Sequence, residues 1–229
     1  MVAEQDRGGA FYGRRKGHRL RDNHARLIAE VLPRLRLPAG ADPLDLPGLF
    51  PHPVSDIWLE IGFGGGEHLL ARARENPDVG FIGCEPFVNG MAKLLAGVEE
   101  HGVSNLRVWD DDAVRVLPRL PAGSIGRVFV LYPDPWPKRR HRKRRFIGLE
   151  TLAALARIMR PGAELRFATD IDDYAAWTLA RVARSGLFDW QAERADDWRR
   201  PWAGWPGTRY EAKALREGRS PMYLTFVRR

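Results

Sequence analysis

From Ile57 onward the chain alternates short apolar runs with longer amphipathic stretches, and no other feature limits its possible folds so tightly. The runs at 57–61, 79–84, 106–109, 128–132 and 165–168 have the length and composition of buried strands, and helical periodicity falls near 66–75, 87–101, 113–119, 145–159 and 172–185. Strand and helix in strict alternation predict βαβ crossovers, hence a parallel sheet with helices on both faces. Residues 221–228, where Met222, Leu224 and Phe226 alternate with Tyr223, Thr225 and Val227, predict a final strand and a hairpin partner for 188–191.

The first 53 residues read differently. Arg14, Arg15, Lys16, Arg19 and Arg21 crowd a glycine-rich start, and Leu27, Ile28, Val31, Leu32 and Leu35 follow at helical spacing. Pro38, Pro43, Pro47, Pro51 and Pro53 then rule out a continuous helix or strand. The reading is a basic arm, a short helix and a linker over 1–53, followed by one α/β domain over 54–229.

With 44% hydrophobic and 29% charged residues the chain has the composition of a globular protein, and its net charge of +8 favours a polyanionic partner, nucleic acid before an anionic membrane. Cys84 is the single cysteine, which excludes an intramolecular disulfide and a cysteine-based zinc cluster. No apolar run approaches the ~20 residues of a membrane span, and the start carries charges and glycines where a signal peptide would be apolar. A cytoplasmic protein is expected.

The first strand runs into Glu60, Ile61, Gly62, Phe63, Gly64, Gly65 and Gly66 before Glu67 opens a helix. Glycines permit a sharp turn and a close approach to a ligand. A dinucleotide would put a pyrophosphate here. The acidic Glu60 and the failed G-x-G-x-x-G spacing favour a cationic ligand instead, and S-adenosyl-L-methionine carries an amino group and a sulfonium but no phosphate. Glu85 ends the second strand, where doubly wound folds hold ribose hydroxyls, and Asp110, Asp111 and Asp112 end the third. Asp112 suits either the adenine edge or a helix N-cap.

After the fourth strand, Tyr132, Pro133, Asp134, Pro135, Trp136, Pro137 and Lys138 form a stiff loop carrying one acid and one aromatic, suited to a flat polar substrate that lies on Trp136 and donates to Asp134. Lys138, Arg139, Arg140, His141, Arg142, Lys143, Arg144 and Arg145 then run together, a density of charge that phosphates would neutralise. A nuclear-targeting tract is the rival reading. Asp170 ends the fifth strand and faces substrate in this reading, while Asp172 caps the next helix. Thr208, Arg209, Tyr210 and Glu211 form a polar patch late in the chain, preceded by Trp198, Trp202 and Trp205, which read as a packed lid or as stacking platforms.

In order, E-I-G-F-G-G-G, the Glu85 strand end, D-A at Asp112, Y-P-D-P-W-P-K-R-R-H-R-K-R-R, A-T-D at Asp170 and T-R-Y-E-A-K at Thr208 resemble the bacterial tRNA (guanine-N7-)-methyltransferases, over most of 55–229. The arm F-Y-G-R-R-K-G-H-R-L is similar to the family's start. The resemblance implies a Rossmann-like class I methyltransferase with a seven-stranded, mostly parallel sheet, and methylation of guanine 46 in the tRNA variable loop. It implies donor contacts at Glu60, Gly62, Gly64, Glu85, Asp112 and Asp134, and substrate contacts at Lys138, Asp170, Thr208, Arg209, Tyr210 and Glu211. Arg140, His141, Arg142, Lys143, Arg144 and Arg145 would touch RNA phosphates, Asp134 would be catalytic, and no metal is expected. A monomer or homodimer with tRNA as partner, without an obligate protein partner, completes the expectation. A donor-free RNA-binding protein and an NAD-dependent dehydrogenase are the readings from other classes. The intact acids oppose the first, and the missing fingerprint opposes the second.

Overall fold

A computed structural model describes residues 13–229, so the first part of the arm, with Phe11 and Tyr12, lies outside the described residues. In chain order the elements are α1 (Asp22–Glu30), α2 (Leu32–Leu35), β1 (Asp56–Ile61), α3 (Glu67–Glu75), β2 (Val79–Cys84), α4 (Val88–His101), β3 (Leu106–Trp109), α5 (Ala113–Val116), β4 (Ile125–Leu131), α6 (Leu149–Ile158), β5 (Met159–Thr169), α7 (Asp172–Ser185), β6 (Phe188–Trp190), α8 (Asp196–Arg199), α9 (Arg209–Arg216) and β7 (Met222–Arg228). The strands form one seven-stranded sheet ordered β3-β2-β1-β4-β5-β7-β6. The five strands β1 to β5 are mutually parallel, and β7 runs antiparallel between β5 and β6. The strand order reverses between β1 and β4, so the loops leaving these two strands diverge and leave a crevice at their carboxyl ends.

The period of two along each strand divides the core. Ile57, Leu59 and Ile61 of β1, with Val128, Val130, Leu165 and Phe167, face the layer built from α5, α6 and α7. On the opposite face Phe81, Leu106 and Val108 meet Leu27 of α1, Leu69 of α3 and Met91, Leu94 and Leu95 of α4. That layer stops short of β4, β5 and β7. There Phe129, Leu131, Ala168 and Tyr223 are covered by Trp202 and Trp205, so these two tryptophans pack as a lid on the sheet.

The predicted elements appear with small shifts at their ends. The 113–119 helix shortens to Ala113–Val116 and tightens into a 3-10 turn at Leu117–Arg119, where Pro118 cannot donate to the helical ladder. Strand β5 begins at Met159, earlier than expected, through an irregular pairing with β4 near Pro161 and Gly162 that masks the alternation. Proline keeps 37–53 irregular, yet Leu37, Leu44, Leu46 and Phe50 are buried in the main core and Leu37 N–H donates to Val108 C=O at 2.8 Å. The segment is therefore stitched along the sheet edge.

Helix α4 meets the glycine turn backbone to backbone: a Cβ on Gly90 would stand 2.1 Å from the Gly64 carbonyl oxygen. Gly90→Ala is expected to push helix and loop apart at a cost of about 1–3 kcal/mol, read as a lower urea midpoint with unchanged m-value.

Candidate active site

The acidic side chains of the site are delivered by strand ends and the loops that leave them, and α9 supplies a second layer. After β1 the backbone passes through Gly62 (φ +75°), Gly64 (φ +59°) and Gly66 (φ +81°), three left-handed residues that only glycine adopts without strain. Glu85, just beyond β2, fastens this turn: its Oε2 accepts from Gly64 N–H at 2.7 Å and its Oε1 from Phe87 N–H at 2.9 Å. Burial raises the proton affinity of Glu85; the Phe87 and Gly64 amides and the charge of Arg209 lower it, and the charge of Asp134 raises it again. Glu85, Arg209 and Asp134 therefore share one electrostatic neighbourhood although they come from three distant parts of the chain.

Asp134 stands on the loop after β4, exposed at the mouth of the crevice yet ringed by enough protein that desolvation raises its pKa. The loop is held in an unusual shape. Tyr132 (φ 49°) and Trp136 (φ 42°) are both left-handed, at a cost of about 1–3 kcal/mol each, and they bracket Pro133, Asp134 and Pro135. Arg145 pins the loop from behind. Its buried guanidinium donates to Pro135 C=O at 2.8 Å, pairs with Asp173 at the start of α7, and lies over the rings of Tyr174 and Trp177.

A second layer covers the glycine turn. Thr208 caps α9, its Oγ1 accepting from Glu211 N–H at 3.1 Å while Glu211 Oε2 accepts from Thr208 N–H at 3.3 Å, a reciprocal capping box. Arg209 and Tyr210, at the start of this helix, lie directly over the turn: a Cβ on Gly64 would sit 3.0 Å from Arg209 Nη2 and 3.1 Å from Tyr210 Cε2. Glu211 is buried and also accepts from Trp205 Nε1 at 2.7 Å and from the Tyr223 hydroxyl. Arg219 Nε reaches Asp170 Oδ2 at 2.5 Å, holding that strand-end acid on the same rim.

Set beside the sequence reading, the structure brings Gly62, Gly64, Glu85, Asp134, Asp170, Thr208, Arg209, Tyr210 and Glu211 to one rim, with Lys138 exposed at its edge. Glu60 lies deeper than expected, buried with its Oε2 2.6 Å from Nδ1 of the equally buried His68. Asp112 serves as the N-cap of α5, accepting from Val114 N–H at 3.1 Å, while Asp110 and Asp111 are paired with Arg36 and Arg15.

The basic segment needs one correction. Lys138 caps a 3-10 turn spanning Arg139–Arg144, and Arg140 and Lys143 are exposed, but the Arg145 side chain is fully buried on Asp173 and is not a phosphate contact. A cation inside the fold is kept only where a carboxylate neutralises it. Arg142 shares the same carboxylate at 2.7 Å, and Arg144 lies over Trp136 with His141 at the ring's edge, so one face of that indole is already taken. Sequence reasoning missed His68, Tyr223 and Arg219. None carries a local signal, because each finds its partner 8, 12 or 49 residues away in the chain.

The donor set has a definite chemical character. Carboxylates at successive strand ends beside a left-handed glycine turn suit a ligand with a cationic centre and hydroxyl groups, as S-adenosyl-L-methionine has. Among the described residues no group of three or more His, Cys, Asp or Glu side chains is arranged to hold a metal ion.

Comparison with known proteins agrees. A family model described as "Putative methyltransferase" matches residues 55–224. A tRNA (guanine-N(7)-)-methyltransferase of Agrobacterium fabrum is 57% identical over 221 residues, covering 96% of this chain and 95% of that protein, and one of Mesorhizobium japonicum gives the same figures. Among solved structures the 16S rRNA methyltransferase KamB superposes with a TM-score of 0.54 at 21% identity, over 77% of this chain and 89% of that one. The [4+2]-cyclase SpnF does so with 0.51 at 16%, over 79% and 76%. A methyltransferase and a cyclase on one scaffold show that this likeness carries fold alone.

Arg145→Ala is expected to lower stability by about 2 kcal/mol, below the figure for a fully buried pair because Asp173 is partly open to water. The Arg145 contact also depresses the pKa of Asp173. That contribution is complete above the unfolded value near 3.9 and is lost as pH falls through the lower folded value, so acid titrations of unfolding should show a flattened acid limb in the variant.

Proposed function

This chain belongs to the tRNA (guanine-N(7)-)-methyltransferases, and on that premise we propose that the guanine it methylates is position 46 of the tRNA variable loop. Its reaction moves a methyl group from S-adenosyl-L-methionine to N7 of a guanine in tRNA. The donor supplies a methyl group activated by a sulfonium. The observation that supports the donor site in this reading is a left-handed glycine turn fastened by Glu85 at the reversal of strand order, with the charges of Arg209 and Asp134 felt at Glu85.

In this reading Gly62, Gly64 and Glu85 hold the donor's sugar and amino acid ends, Asp112 borders its adenine, and Glu60 sets the charge beneath it. Lys138, Asp170 and the Thr208–Glu211 turn grip the guanine. Guanine N7 carries an in-plane lone pair, so no residue has to remove a proton from the nucleophile. The demand on the protein is orientation and charge. Positive charge develops on the purine as the methyl arrives, and Asp134, on a loop stiffened by three prolines and two left-handed residues, places a carboxylate there without reorganising. Arg139, Arg140 and Lys143 offer phosphate contacts that position the RNA without reading its sequence. An unpaired loop guanine, with its edge accessible, suits such a site better than one stacked in a duplex. The enzyme acts in the cytoplasm as a monomer or homodimer, without an obligate protein partner.

The direct test supplies labelled S-adenosyl-L-methionine and unmodified tRNA and maps the product. Label in 7-methylguanosine at position 46, absent when that guanine is replaced, is the expected result; label in another nucleoside or at another guanine refutes the assignment. Asp134→Asn should lower kcat by roughly 10²-fold with much less change in S-adenosylhomocysteine affinity. Because the pKa of Asp134 in the free enzyme is raised, wild-type kcat/KM should fall on acidification at a higher pH than an ordinary aspartate would dictate, and that limb should vanish in the variant.

A further inference from the structure

Glu60 and Glu211, one beneath the donor turn and the other under the substrate helix, are joined through the interior by two side chains that belong to neither group. His68 Nδ1 lies 2.6 Å from Glu60 Oε2, with both residues buried. The imidazole is packed between Phe129, centroid to centroid 4.7 Å, and Trp205, 5.0 Å. Trp205 in turn donates its Nε1–H to Glu211 Oε2 at 2.7 Å. The same Oε2 accepts from Thr208 N–H and the other oxygen, Oε1, accepts from the Tyr223 hydroxyl, so the Glu211 carboxylate cannot turn without carrying the capping box of α9 with it. That box fixes Arg209 and Tyr210 over Gly64.

We propose that His68 and Trp205 are positioning residues that link occupancy of the donor site to the grip on guanine, making the two ligands bind cooperatively. The inference rests on the reading of Glu60 as facing the donor and the Thr208–Glu211 turn as facing the substrate. A cation arriving beside Glu60 pulls on a carboxylate whose partner is His68. Inside a site closed to water, His68 must move with it or leave a buried polar group unmatched. The imidazole is wedged between two rings, so its movement is passed to Trp205, and the indole N–H passes it to Glu211. Because binding linkage is reciprocal, seating the guanine must tighten the donor by the same factor.

The test is a thermodynamic cycle: S-adenosylhomocysteine affinity is measured with and without saturating unmodified tRNA, in the wild type, Trp205→Phe, His68→Phe and Trp190→Phe. Trp205→Phe keeps a ring against His68 and removes only the donor to Glu211; His68→Phe keeps the ring stack and removes only the bond to Glu60. The wild type should bind S-adenosylhomocysteine at least about fivefold more tightly when tRNA is present, and each single-link variant should reduce that factor to about twofold or less. Trp190→Phe changes an exposed ring on β6, outside the link, and should keep the wild-type factor. A merely structural role would lower thermal stability and leave the factor intact. Absence of cooperativity in the wild type, or its persistence in Trp205→Phe and His68→Phe, overturns the proposal. Formation of 7-methylguanosine by the same wild-type preparation is scored separately, so a failure of the substrate assignment is told apart from a failure of the link.

Discussion

The carboxylate of Glu85 is the fastening on which the site depends. By accepting from Gly64 and Phe87 it ties the turn after β1 to the start of α4, beside the point where strand order reverses. Buried charge of this kind survives because backbone amides satisfy it. Without that tie, three left-handed glycines would be a floppy connection. With it they form a rigid shelf, and Gly90 can approach the Gly64 carbonyl closely enough to lock α4 beneath the shelf. Rigidity matters for a reaction in which the protein contributes orientation and fixed charge and no proton transfer from the nucleophile.

The two halves of the site are built by different means. The half around the glycine turn is secondary structure: strand ends, the turn itself, a helix packed backbone to backbone. The half under α9 is side-chain packing, where Trp202, Trp205, Tyr223 and Phe129 fill the part of the sheet that no long helix covers. An aromatic lid can hold polar hydrogen bonds in a dry setting, as Trp205 and Tyr223 do for Glu211. Arg145 plays the matching part behind the proline loop, where a surface-type residue has been drawn inward to hold Asp134's loop against α7.

Much of this was legible in the residues. The first five strands and their helices follow from hydrophobic period, and the hairpin of β6 with β7 from alternation near 188 and 222. The glycine turn and the strand-end acids followed from the types of residue at each loop. Helix α9 was missed although Thr208 and Glu211 are a capping signature, because a run of charged and polar side chains reads as surface until its buried partners are known. Arg145 could not be separated from its basic neighbours, since only the three-dimensional position of Asp173 distinguishes it. His68 and Arg219 are alike in this respect: pairing across the fold leaves no periodic trace.

The place of β7 in the sheet bears on how the molecule is made. It follows every other strand in the chain, yet it lies between β5 and β6, so β6 cannot join the sheet until β7 has been synthesised and inserted. At about 5–20 residues per second the nascent chain spends some seconds with the flank of β5 unpaired, a template for unwanted strand addition. Tyr223 arrives on that same late strand. The grip on Glu211 is therefore among the last contacts to form, and a partly made chain can shape the glycine shelf before the capping box of α9 is fastened to the sheet.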